Sequence, residues 1–392
     1  MFYRKPILAR IAFSLFKKIK YGEIVLTTPE GEVIHFGKVE KESDLRASFK
    51  LKDWSVIKNA INHADIGFGE DYIEGKWETD NLPNLLTIIV KNHEVLEKLL
   101  YGNLWGRIFF KIYNFFRPNS IEGSKKNIKA HYDVGNDFYK LWLDKTMTYS
   151  SAIFEGDKNK NLEQAQLDKY ARILSFLKPK GEILEIGCGW GGFAEEAVKE
   201  NFKIKAITIS KEQLKFAKNR LKNNKKAEIE FIDYRNAMGF YDYIVSIEML
   251  EAVGEKYWPV YFAKIKELLK PQGKAIIQTI VIKDELFDRY KQTGDFVRRY
   301  TFPGGMLPSL EKLKEASEKV KLQIVNSFSF GGDYAITLHK WFDNFNAKIK
   351  EIKALDHSDE FIRSWQFYLS ACIAVFQAER STVLQLEIVH KT

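Results

Sequence analysis

Two cysteines in 392 residues, Cys188 and Cys372, are too few for a disulfide framework and point to a reducing compartment. No apolar run reaches the ~20 residues that a membrane-spanning helix needs. Arg10 interrupts the first apolar stretch and no small-residue cleavage site follows it, so the start does not read as a secretory signal. No histidine, cysteine or acid spacing matches a metal site. A cytosolic globular protein remains. Its 45% hydrophobic and 14% aromatic content suffices for a sizeable core, and its length allows two domains.

The net charge of +9 is concentrated locally. Residues 1–20 carry Arg4, Lys5, Arg10, Lys17, Lys18 and Lys20 with no acid. Residues 103–130 carry Arg107, Lys111, Arg117, Lys125, Lys126 and Lys129 against Glu122 alone. Both stretches have helical apolar periodicity: Ile7, Leu8, Ile11, Ala12, Leu15, Phe16 and Ile19 in one, Leu104, Trp105, Ile108, Phe109, Ile112, Tyr113 and Phe116 in the other. Basic helices with such faces suit an anionic membrane interface. The same periodicity also suits packing on the protein, an oligomer contact or, with the charge, a nucleic acid.

The most informative run is Glu185-Ile186-Gly187-Cys188-Gly189-Trp190-Gly191-Gly192, between an apolar strand (183–186) and a helix expected over 193–200. Glycines permit a tight turn and close backbone approach to a ligand, and the helix start offers free N–H groups. The pattern alone is shared with dinucleotide enzymes. About 20 residues further on, where those enzymes place a ribose-binding acid, the chain reads Ala206-Ile207-Thr208-Ile209-Ser210. That absence favours S-adenosylmethionine over NAD.

Further strands are expected at 204–208, 229–233, 243–247, 275–280, 322–330 and 383–390, with helices between them and a long helical insert over 334–381. Such alternation implies an α/β fold with a mainly parallel sheet wound on both faces. Residues 21–100 read as a smaller α/β unit, with a hairpin at 24–27 and 33–36 and helices near 52–62 and 82–100. The chain divides at 1–102, 103–125 as a basic amphipathic linker, and 126–392.

A series of motifs then becomes legible in order. They are His131-Tyr132-Asp133-Val134-Gly135-Asn136-Asp137-Phe138-Tyr139, Met147-Thr148-Tyr149-Ser150-Ser151-Ala152, the glycine run, and Thr208-Ile209-Ser210-Lys211-Glu212-Gln213. Asp233-Tyr234-Arg235, Glu248-Met249-Leu250-Glu251-Ala252-Val253-Gly254, Phe302-Pro303-Gly304-Gly305 and Gly331-Gly332-Asp333-Tyr334 follow. Together they resemble the cyclopropane-fatty-acyl-phospholipid synthases and the related mycolic-acid and fatty-acid methyltransferases. The likeness is dense over 125–392. It extends to Gly69-Glu70-Asp71-Tyr72 and Gly75-Lys76-Trp77, which look like that family's N-terminal lipid-binding domain.

The resemblance implies a class I S-adenosylmethionine-dependent methyltransferase, Rossmann-like with seven mostly parallel strands, behind a smaller lipid-binding domain. It implies transfer of the cofactor's methyl carbon to a cis double bond of a phospholipid acyl chain, through a carbocation that a bound bicarbonate deprotonates. An alkene is a weak neutral nucleophile, so such a site must be dry and aligned, and aromatic faces can stabilise the cation. By resemblance, Tyr149 and Ser150 meet the cofactor's tail, Glu185, Gly187 and Gly189 form its loop, and Thr208, Gln213 and Asp233 complete its site. Gln213 would replace the missing ribose acid. Glu251 would hold the bicarbonate, with Tyr334, Ser151, Gln278 and Ile280 around it, and Tyr132 would line the reacting carbon. Glu248 reads as a helix-capping acid, His131 as structural and Phe302 as core.

Three positions depart from many family members: Ser151 replaces a cysteine, and Ala252 and Gln278 replace histidines. Serine and glutamine keep donors, so a bicarbonate shell of altered geometry is expected. The implied partner is a phospholipid membrane with unsaturated chains and an anionic surface, met from its inner face, with a homo-oligomer also possible. A nucleic-acid methyltransferase would explain the loop and the charge. Amino-methylating enzymes of that class place an Asn/Asp-Pro-Pro-aromatic motif where this chain reads Ser246-Ile247-Glu248-Met249-Leu250-Glu251. Methyl-branched or methylene acyl chains are the remaining alternative product.

Overall fold

The computed structural model describes residues 6–41, 45–100 and 134–391. Tyr132 and the basic segment 103–130 lie outside them. The described chain forms two compact units. One takes the described residues up to 100 together with Asp288–Thr301 and Ile349–Glu379, and the other takes the rest.

In the first unit, β1 (Glu23–Thr27) and β2 (Val33–Gly37) form the expected antiparallel hairpin. A strand that sequence patterning leaves unassigned, β3 (Arg46–Leu51), lies parallel to β1 and pairs with the short β4 (Trp77–Glu78), giving the order β2-β1-β3-β4. Ala47, Phe49 and Leu51 alternate inward along β3. Helix α1 (Ile7–Phe16) uses Phe13 and Phe16 against Phe36, at 5.5 and 5.4 Å between ring centres, while Ile7 and Ile11 stay exposed. Helix α2 (Ser55–Ile73) is kinked at Ala64, and α3 (Leu82–Lys91) and α4 (His93–Leu100) divide the second expected helix at Asn92.

The segment Gly67–Trp77 packs this unit. Gly69 lets the Phe296 ring approach, since a Cβ there would lie 2.6 Å from it. Trp77 is fully buried and stacks on Phe68 at 4.3 Å. Its Nε1 donates to the Phe68 carbonyl (2.9 Å). Asp71 accepts from Lys76 (2.9 Å) and from Asn59 (2.9 and 3.0 Å). Chain order and fold order therefore differ from the division expected at residue 126. Phe296 and the helix Asp359–Gln377 belong with the first unit because they complete its core, the helix packing on α3 and α2.

The second unit holds seven strands, β5 (Glu182–Ile186), β6 (Lys203–Thr208), β7 (Ala227–Phe231), β8 (Tyr241–Ile247), β9 (Leu269–Ile282), β10 (Leu322–Ser329) and β11 (Ser381–His390). Their order is β10-β11-β9-β8-β5-β6-β7, with β11 antiparallel to both neighbours and all other pairs parallel. Ile183, Ile204, Ala206, Ile229, Val245 and Ile276 meet Phe193, Ala197 and Ala217 from the covering helices in one core. Strand order reverses between β5 and β8, so the crevice beyond their carboxyl ends is where a ligand belongs.

Candidate active site

Past β5 the chain turns through Gly187 and Gly189 at φ +82° and +52°, values that L side chains rarely adopt. At Gly187 a Cβ would also strike Met249 at 2.8 Å, whereas beyond Gly189 there is open space. The Gly187 and Cys188 N–H groups both donate to the Ile207 carbonyl at 3.0 Å, tying the loop to the end of β6. The loop then enters the helix Gly192–Lys199. Glu185, on β5, is almost fully buried, and its Oε2 has no partner. Burial pushes its carboxyl up to about 8, against the opposing pull of Lys169.

Gln213 is buried, not solvated, in the first turn of Lys211–Leu221. Ser210 caps that helix and accepts from the Gln213 N–H (3.3 Å), while the Thr208 hydroxyl donates to Gln213 Oε1 (3.0 Å). Asp233, expected at the cofactor, is paired with Arg235. Arg235 engages both of its carboxylate oxygens, at 2.8 and 2.7 Å. Tyr149 packs among Tyr139, Trp142 and Trp341, with ring centres 5.2–5.7 Å apart. The Ser150 hydroxyl accepts from Lys169 Nζ at 2.6 Å, and its carbonyl accepts from Gln166 (2.9 Å). Both donors come from the buried face of the helix Leu162–Ser175.

The open face at Gly189 and the unpartnered Glu185 oxygen fit a cofactor bearing a cationic or amino group. The residues that would hold S-adenosylmethionine are therefore present.

Beyond β8 lie two carboxylates. Glu248 has left-handed backbone (φ +49°) and caps no helix, contrary to the sequence reading. That backbone turns its side chain so that Oε1 accepts from the Ser151 N–H and from Gln278 Nε2, both at 2.8 Å. The Tyr334 hydroxyl bonds the same carboxylate. Tyr334 is placed by the helix Gly331–Ala347, whose Asp333 accepts from the Phe154 N–H (2.8 Å) and the Glu155 N–H (3.0 Å). Gln278 is itself oriented by Gln385, whose Nε2 donates to Gln278 Oε1 (3.0 Å).

Glu251 sits three residues on in a 3-10 turn and accepts at Oε1 from Thr279 Oγ1 (2.9 Å) and the Ile280 N–H (2.5 Å). Its Oε2 is buried and unpartnered, and burial, reinforced by Glu248, raises its carboxyl to about 8. Lys169 is the buried cation of this region. Burial pulls its ammonium down, while Glu248, Asp144 and Glu185 favour its charge.

The expected shell residues Glu251, Tyr334, Ser151, Gln278 and Ile280 do come together, but a bicarbonate does not fit them. The Ser151 N–H, Gln278 amide and Tyr334 hydroxyl go to Glu248, and the Ile280 N–H goes to Glu251. An added bicarbonate would find those donors already engaged.

Sequence reasoning misses Lys169 and the role of Glu248. Lys169 falls on the apolar stripe of its helix with Leu162, Ala165, Ile173 and Leu174, an unusual place for lysine. Glu248 stands at the carboxyl end of a strand beside the switch point, where side chains reach ligands.

The family model described as Mycolic acid cyclopropane synthetase matches residues 120–386. Among curated relatives, tuberculostearic acid methyltransferase of Mycobacterium tuberculosis is 33% identical over 354 residues, covering 86% of this chain and 82% of that one. The cyclopropane-fatty-acyl-phospholipid synthase of Escherichia coli K12 is 33% identical over 334 residues, covering 85% of each. Among solved structures, mycolic acid cyclopropane synthase CmaA1 complexed with SAH and CTAB superposes with a TM-score of 0.63 at 28% identity, covering 67% of this chain and 97% of that one.

Proposed function

The chain belongs to the mycolic acid cyclopropane synthetase family and is an S-adenosylmethionine-dependent methyltransferase, and on that premise we propose that it methylates the cis double bond of unsaturated phospholipid acyl chains, closing a cyclopropane ring. The observation that carries this reading is the pairing of a buried aromatic cluster with buried carboxylates at the strand ends. Alkene methylation needs both: π faces for a transient cation, and an acceptor for the proton that leaves.

The cofactor supplies a methyl group made electrophilic by its sulfonium. Glu185, Gly187, Gly189, Thr208 and Gln213 bind and orient it. Tyr149, Trp142, Trp341 and Tyr139 exclude water and line the reacting region with π faces. Tyr334 meets Trp341 edge-on at 6.0 Å, which fixes the ring beside the carboxylates. Tyr132 is proposed to line the reacting carbon. Glu251 holds the end of β9 through Ile280 and Thr279, and so fixes one wall of the site.

The first unit is proposed as the membrane-facing part. Its helix α1 leaves Ile7 75% and Ile11 46% exposed, beside exposed Arg10, Lys17 and Lys18. Among the described residues no helix is long and apolar enough to cross a membrane, so the proposed contact is peripheral. A fatty-acyl methyltransferase giving methyl-branched or methylene chains is the second reading. It is favoured by the equal identity of the chain to relatives named for tuberculostearic acid and for cyclopropane synthesis.

The test is transfer of label from methyl-labelled cofactor to dioleoyl phospholipid vesicles, with the product identified by mass spectrometry and NMR. Ring protons in the lipid fraction are expected. Label in polynucleotide and none in lipid overturns the class of substrate, and exclusively branched or methylene chains overturn ring closure.

A further inference from the structure

The donors that the family resemblance assigns to a bicarbonate ion already hold an oxyanion, and it belongs to the chain. The Ser151 N–H and Gln278 Nε2 converge on one oxygen of Glu248 at 2.8 Å each, with the Tyr334 hydroxyl on the same carboxylate. A carboxylate and a bicarbonate present the same planar O–C–O group, so one can take the other's hydrogen bonds.

A purely structural role explains this arrangement poorly. A buried carboxylate is costly even when paired, and an apolar side chain of similar volume is often better for stability. Here the glutamate also sits in left-handed backbone that L side chains avoid, a strain of about 1 kcal/mol or more that the surroundings must sustain. A second buried carboxyl, Glu251, stands three residues away with an unpartnered oxygen. Backbone strain, burial and converging donors at one residue beside a substrate crevice mark a functional group.

Resting on the alkene-methylation reading above, we infer that Glu248 is the built-in base of this enzyme, taking the place of a diffusible bicarbonate. The alkene π pair bonds to the methyl carbon while the C–S pair returns to sulfur, leaving the second alkene carbon cationic. A Glu248 oxygen then accepts a proton from the newly attached methyl group. The C–H pair so released forms the third ring bond. Glu248 returns the proton to water between turnovers, so the balance is one cofactor and one alkene to S-adenosylhomocysteine, a cyclopropane and a proton. Burial pushes the Glu248 carboxyl up, and Lys169, anchored on Ser150, is a positioning residue that opposes that shift.

The test compares the full-length enzyme with Glu248→Gln and Glu248→Gly on dioleoyl phospholipid vesicles, in carbon dioxide-free buffer with and without added bicarbonate. The wild type is expected to form rings at the same rate, within about twofold, in both buffers. Glu248→Gln is expected to form rings about 10²–10³-fold more slowly, with cofactor affinity within about threefold of wild type. Glu248→Gly leaves a vacancy of the right shape, and added bicarbonate or formate is expected to restore its ring formation at least about tenfold over the unsupplemented rate. Wild-type activity that vanishes when bicarbonate is removed overturns the inference, as does ring formation by Glu248→Gln at the wild-type rate. If a variant fails to bind cofactor through misfolding, the wild-type comparison in the two buffers still decides. A wild-type enzyme that labels no lipid in either buffer fails at the earlier reading, an outcome distinct from lipid labelling that ignores Glu248.

Discussion

Two segments of this chain look equally promising on paper, and the structure separates them by one criterion. Gly67–Trp77 and the loop from Glu185 through Gly191 both combine glycines, acids and tryptophan. In the first, Asp71 is fully engaged by Lys76 and Asn59, and the Trp77 N–H is satisfied by the Phe68 carbonyl. In the second, Glu185 Oε2 is buried without a partner, and at Glu251 another carboxylate is held in the same condition. Buried polar atoms are nearly always paired, so an orphan signals a partner yet to arrive. Both carboxyls are pushed to about 8, as expected where chemistry occurs and not where packing alone is needed. At Glu185 and Glu251 the unpartnered oxygens lie at the strand ends, where a ligand belongs.

The sharpest way to break that comparison is Trp77→Ala. Loss of a fully buried indole stacked on Phe68 should destabilise the first unit by about 3–5 kcal/mol, read by chemical denaturation, while the folded protein keeps its cofactor affinity. Weakened cofactor binding with unchanged stability would move Gly67–Trp77 into the class of sites.

Glu185→Gln probes the other side. Burial holds this carboxyl near 8 in the folded chain, against 4.5 as the ordinary value. Between those limits the folded state keeps a proton that the unfolded state has released, so the ligand-free protein loses stability as pH rises from about 4.5 to about 8. The amide removes that loss. The melting temperature at pH 8 should therefore rise by a few degrees, on the order of 1 kcal/mol, while cofactor affinity measured by calorimetry falls about tenfold (~1.4 kcal/mol). A variant that melts lower and binds as before would make Glu185 a scaffold residue.

The smallest effect is expected at Gln213→Ala, where one hydrogen-bonding group is lost. Cofactor affinity should drop about fivefold (~1 kcal/mol), with turnover at saturating cofactor unchanged. A change in turnover alone would mean that Gln213 positions the reacting region instead.

Much of the catalytic architecture was legible because its strands are short apolar runs separated by amphipathic helices, and all seven occur where those runs lie. The glycine loop was legible because its backbone demands are written in residue type. Other features depend on directions that sequence does not encode. The expected strand at 229–233 ends at Phe231, since Asp233 leaves the sheet to pair with Arg235. The backbone at Glu248 is left-handed, so a residue resembling a helix cap aims its carboxylate at Ser151 and Gln278. β3 alternates cleanly, but its parallel pairing with β1 requires partners distant along the chain. Asp288–Thr301 is likewise claimed by tertiary contact, through Phe296 against Phe367 at 4.6 Å.

That interleaving bears on how the gene can be cut. A clone ending near residue 125 would lack Phe296 and the helix Asp359–Gln377, so α3 would lose the helix packed on it and the buried Thr87 would lose its partner Gln377. Such a fragment should precipitate or recruit foreign chains. Conversely, swapping this module between homologues demands three coordinated splices.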